Sequence, residues 1–169
     1  RGLGDVYKRQ VGFPTREPML AEGKVDSVTG FSFSSYLNLV RLGVPEEDIS
    51  TILMADHGLK LYGNAVIVNT DYAKNNSDMV KKFLVAIGAG WRDAIKDPKA
   101  AAAALVKRNP AADAALEQRR LQLAIDANVL TDYVKANGMG GVDSSRFAAA
   151  IEQLSETYEY KAAPNAALY

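Results

Sequence analysis

Cysteine is missing from this sequence of 169 residues, and its absence removes disulfides, thiolate metal sites and cysteine nucleophiles together. It leaves open whether the chain works in an oxidising or a reducing compartment. Histidine occurs once, at His57, and a lone imidazole makes a poor case for a metal centre or a catalytic relay. Neither sign of charge prevails, since 20 Lys and Arg are balanced by 20 Asp and Glu. Without a basic block there is no electrostatic footprint for nucleic acid or for an anionic membrane surface. No apolar run reaches the ~18 residues that a bilayer span requires, and the amino end lacks the basic-then-apolar layout of a secretory signal. No internal repeat is present, and the alanine tract around Ala102 favours helix over disorder.

What is present changes character along the chain. Residues 1–10 have no clear periodicity of either kind and read as a non-native leader, an assembly scar at the edge of a fragment, so they are set apart from the fold. From Val11 to about Asn69, strand and helix alternate. A short helix follows Pro14 and is closed by Gly23, and residues 25–31 read as a buried strand. Ser32 or Ser34 is the expected cap of a helix whose Phe33, Leu37 and Val40 fall at helical spacing before Gly43 ends it. After a polar turn at Pro45, residues 49–54 read as a second strand, so that strand, helix and strand make a right-handed βαβ unit. Residues 64–69 make a third, short strand.

After Thr70 the pattern is helical. Ser77 is the expected cap of a helix with an apolar stripe of Val80, Leu84, Ile87 and Trp91, ended at Asp97 with Pro98 opening the next. Asn109 and Pro110 break that one, Asp113 opens a longer helix towards Val129, and Thr131 and Asp143 cap two more. Gly138, Gly140 and Gly141 form a loop that lacks the lysine and the strand-to-helix context of a phosphate cradle. Lys81, Lys82, Arg119 and Arg120 read as solvated faces.

Ligands collect where a strand ends and a helix begins, because the helix start supplies unpaired N–H groups and partial positive charge. Thr29 and Gly30 stand at such a junction, where they either line a cleft or form a plain strand end with a turn glycine. Ser32 offers its hydroxyl to a small anion or caps the helix. Phe31 stacks on a planar ligand or is a core aromatic. Asp56 and His57, at the end of the second strand, are cleft residues or hydrogen-bonded loop residues.

The order of several short pieces carries a resemblance: Gly23 through Phe31, then Gly43-Val44-Pro45, Ala55-Asp56-His57-Gly58, Leu61-Tyr62-Gly63-Asn64, Val80 through Leu84, and Asp97-Pro98 before the alanine-rich helix. Residues 11–169 resemble the carboxyl-terminal half of periplasmic solute-binding proteins. The group is the ABC-importer receptors for nitrate, sulfonates, taurine and thiamine-pyrimidine precursors, a fold shared with the thiamine-pyrimidine synthase. The resemblance implies an α/β, type II two-lobe fold present as a fragment, with residues 11–62 as part of the second lobe and 63–169 returning to the first. It implies a small solute in the interlobe cleft, Tyr62 and Asn64 at the crossover either binding it or tying the lobes together, and no cofactor or metal. The implied partners are the solute and the ABC permease and ATPase subunits. The complete protein would be a monomer, periplasmic or membrane-anchored outside the cytoplasm, with its signal in a preceding part. A synthase would carry a cysteine-rich segment at the crossover, where this chain has Leu59-Lys60-Leu61-Tyr62-Gly63. A sensory module would carry a membrane helix and a kinase or cyclase region that residues 11–169 do not show.

Overall fold

The computed structural model describes residues 9–162 and Pro164, so residues 1–8 of the stretch expected to be a leader lie outside the described residues. The chain forms two compact units, the first ending at Thr51 and the second beginning at Ile52. Residues 52–62 therefore group with the second unit, a division earlier in the chain than the crossover read from the sequence.

In the first unit a 3₁₀ turn, Phe13–Thr15, runs into α1 (Arg16–Ala21). Gly23 stops α1 at φ 67°, a left-handed angle that glycine adopts at little cost, while its N–H and that of Lys24 reach back to the Leu20 and Met19 carbonyls. Gly43 ends α2 (Ser32–Arg41) in the same way, at φ 88°, with the Gly43 and Val44 amides on Val40 and Leu39. α1 packs on α2, and Met19, Leu37 and Leu39 are the buried apolar side chains there. The spacing marked Phe33, Leu37 and Val40 for this face. Leu37 is fully buried, Phe33 and Val40 are half-buried, and Leu39 takes the other buried place. A 3₁₀ turn, Glu46–Asp48, occupies the polar stretch after Pro45.

The second unit opens with a 3₁₀ turn, Met54–His57, and continues through α3 (Thr70–Asn75), α4 (Ser77–Lys96), α5 (Pro98–Arg108), α6 (Ala114–Ala124), α7 (Asp132–Asn137) and α8 (Ser144–Ser155). α6 carries on as a wider π turn, Ile125–Val129. Four helix starts are fixed by the residues that the sequence marks for the task. Asp97, Asp113, Thr131 and Asp143 accept the amides of Ala100, Leu116, Val134 and Arg146, at 2.9, 2.7, 3.3 and 2.7 Å. α5 packs on α4 and on α6, with Ala102 and Ile125 buried.

Two caps differ from expectation. Phe31, with extended backbone, takes the cap position of α2 and receives the Ser34 and Ser35 amides on its carbonyl, so Ser32 is the first helical residue. Asn76 precedes α4 without a side-chain cap, its amide donating instead to the Tyr72 carbonyl, and Ser77 is helical. On the α4 stripe Leu84 is exposed. Arg120 is not a free surface charge, since it pairs with Glu117 at 3.1 Å.

The larger difference concerns strands: none forms among the described residues. Phe31, Ile49, Leu53 and Asn69 have extended dihedrals, as the sequence predicts for residues 25–31, 49–54 and 64–69. Extended backbone becomes a strand only when a neighbour about 4.8 Å away takes its N–H and C=O groups, and none of the three finds one. Met54 belongs instead to the 3₁₀ turn. Ile52 and Ile67 are 75% and 91% exposed. The α/β, βαβ arrangement expected from the sequence is thus not formed among the described residues, which carry its helices but no ladder.

Candidate functional site

The loop of Thr29, Gly30, Phe31 and Ser32 is held from α1. Arg16 Nη1 donates to the Thr29 carbonyl at 2.5 Å, and the Ser35 hydroxyl donates to Glu17 Oε1 at 2.6 Å. Glu17 is buried, 5% exposed, and a carboxylate so placed needs such a donor. Gly30 lies against this tie, and a Cβ built on it would fall 1.9 Å from Ser35 Oγ. Any side chain there must displace Ser35 or the loop. The Arg16 guanidinium lies over the Phe13 ring at 4.5 Å, while its buried Nε has no hydrogen-bond partner. Phe31 stacks on Phe33, centroids 5.4 Å apart and planes 20° apart, and stays half exposed. The loop thus shows one backbone face and one aromatic face to solvent at the start of α2.

Asp56, His57, Tyr62 and Asn64 belong to the second unit. Asp56 and His57 share the 3₁₀ turn that Gly58 ends. Their side chains, and that of Asn64, are exposed and make no hydrogen bond among the described residues. Tyr62 differs. Its hydroxyl accepts the Asp143 amide at 2.8 Å, and its ring is covered by the Arg146 guanidinium at 4.3 Å and flanked by Phe147 at 6.5 Å. Arg146 also donates to the Lys60 and Leu61 carbonyls, at 2.9 and 2.8 Å, and Gln153 to the Gly58 carbonyl at 3.0 Å. Asp143 caps α8, and the Ser145 hydroxyl, followed by the Arg146 amide, holds its carboxyl below the usual carboxylate range. Beside this clasp is a hollow of about 430 Å³ whose lining includes Lys60, Tyr62, Tyr133 and Gln153.

Among the described residues no cluster of three or more metal-ligating side chains occurs, and no helix is long and apolar enough to cross a membrane. Residues 4–101 match the family model described as NMT1/THI5 like. The chain belongs to that family. The NMT1/THI5-like family consists mostly of solute-binding proteins, with a synthase type among its members. No curated protein and no solved structure shows a significant match to the chain. The NMT1/THI5-like stretch begins within residues 1–10, contains all eight candidate residues and ends inside α5. Arg16 and Glu17 fall within it, whereas Asp143, Arg146 and Gln153 lie beyond it. Spacing marks Asp143 as a helix cap but not its hold on Tyr62, and it gives no signal for the other four, because each acts on backbone or hydroxyl groups of a distant segment.

Proposed function

We propose that the chain is part of the solute-binding receptor of an ABC importer. The receptor captures a sulfonate such as taurine, nitrate or a thiamine-pyrimidine-like solute in a cleft between two lobes and delivers it to the permease and its ATPase. The observation that carries this reading is the family match over residues 4–101, which contains the loop built at the start of α2. The first-turn amides of a helix lie at its partially positive end, which favours an anion. Here the loop leading to them is fixed by Arg16 and by the Glu17–Ser35 tie. Thr29, Gly30 and Ser32 would meet the polar end of the solute, and Phe31 a planar one.

In this reading the complete receptor has the periplasmic-binding-protein-like α/β fold and lies outside the cytoplasm. The unpaired segments 25–31, 49–53 and 64–69 would join sheets completed by the rest of the protein, which agrees with the exposure of Ile52 and Ile67. The work is binding and release without bond chemistry: a solute favours the closed receptor only by binding it more tightly than the open one. The synthase reading has no cysteine on which to rest its distinguishing segment.

Thermal-shift screening of the full-length receptor against taurine, an alkanesulfonate, nitrate and a thiamine pyrimidine tests the proposal, because a solute that binds only the folded state raises the melting temperature. A shift with one class is expected, and Gly30→Ala should abolish it by forcing a methyl group onto Ser35 Oγ. No shift with any of the four would overturn the reading.

A further inference from the structure

Residues 58–62 are held from one helix far along the chain. Arg146 is at the centre of that hold, because its planar fork reaches two successive carbonyls, Lys60 and Leu61, while the same guanidinium lies over the Tyr62 ring. The Asp143 amide fixes the phenol from the other end. Two peptide planes, one ring and one hydroxyl are thereby set by the cap and first turn of a single helix. A lysine offers its donors from one point and has no planar fork to span two carbonyls. The hold stops at Tyr62: residues 63–68 make no hydrogen bond among the described residues, and Gly63 has open space where a Cβ would lie.

We propose that Arg146 is a positioning residue. It sets where the Tyr62 ring sits, so α8, outside the family-matched stretch, governs one of the candidate solute residues. The statement about solute rests on the receptor reading; the placement of Tyr62 does not.

The test is ¹⁹F NMR of the full-length protein carrying 3-fluorotyrosine, with the Tyr62 signal assigned through Tyr62→Phe. In both R146K and R146M the Tyr62 resonance should move towards that of free fluorotyrosine while the other tyrosine signals and the helical circular dichroism hold. Should R146M lose its helical signal, R146K, which keeps charge and an aliphatic stem, decides. A Tyr62 resonance that stays in place in R146K overturns the proposal. Titration with the same four solutes separates the two claims. Weaker binding by R146K than by wild type supports the link to the solute, and equal binding overturns that link. A wild-type protein that binds none of the four overturns the receptor reading, and the fluorine result then stands for the placement of Tyr62 alone.

Discussion

The loop at residues 29–32 and the segment at residues 58–62 are both short pieces of irregular chain held by side chains of a helix, but they are held by opposite means. The first is tied by α1, whose Arg16 and Glu17 stand 13 and 18 residues from their partners, and Glu17 is buried. The second is tied by α8 from 81 to 95 residues away, through groups that are exposed or half-buried. A buried tie draws its strength from the packing around it, since an acceptor removed from a closed site leaves its donor stranded. A surface tie competes with water at every contact and depends on geometry, here a planar guanidinium and a helix start. The first loop should therefore fail with its core, and the second should fail with particular side chains.

The largest expected effect is that of Leu37→Ala, which opens a cavity beneath α2 at a fully buried position and should cost about 3 kcal/mol. Native-state hydrogen exchange should show faster exchange throughout α1 and α2 with the amides of α4 to α8 unchanged. Equal loss in α8 would erase the distinction between the two units. Glu17→Ala comes next, at about 2 kcal/mol, because Ser35 loses its buried acceptor. Glu17→Gln, which keeps an acceptor, should recover most of that protection, and an unchanged α2 in Glu17→Ala would show that the buried tie does not hold the loop. The smallest effect concerns acid. The Asp143 carboxyl is held below the usual range in the folded chain, so its contribution is fully present above the unfolded carboxylate value. That contribution is lost as the pH falls through the lowered folded value. Protection of the Arg146 amide should decline below about pH 4, and Asp143→Asn should flatten that decline. An identical acid profile in the variant would remove Asp143 from the clasp.

Four helices of the second unit were legible because their starts carry their own chemistry within four residues. Asp97 with Pro98, Asp113, Thr131 and Asp143 each meet an amide three residues on, or fewer than one turn away. Extended backbone was legible too, as Phe31, Ile49, Leu53 and Asn69 show, but a strand is a relation between two segments, and periodicity in one cannot supply the other. Of the site, the loop from Thr29 to Ser32 was marked by its place before a helix. Arg16, Glu17 and Arg146 were not, because what each one binds is backbone or hydroxyl, which nearly every residue offers. Tyr62 was marked for solute or for tying, and its hydroxyl and ring are both engaged within the second unit.

The separation across the clasp has a consequence for biosynthesis. Leu61 leaves the ribosome 85 residues before Arg146, a wait of about 4–17 s at ordinary elongation rates. During that interval α3 to α7 can form locally while the Lys60 and Leu61 carbonyls have only water or a chaperone to meet. Elongation speed through α4 to α7 therefore sets how long this segment stays available to wrong partners.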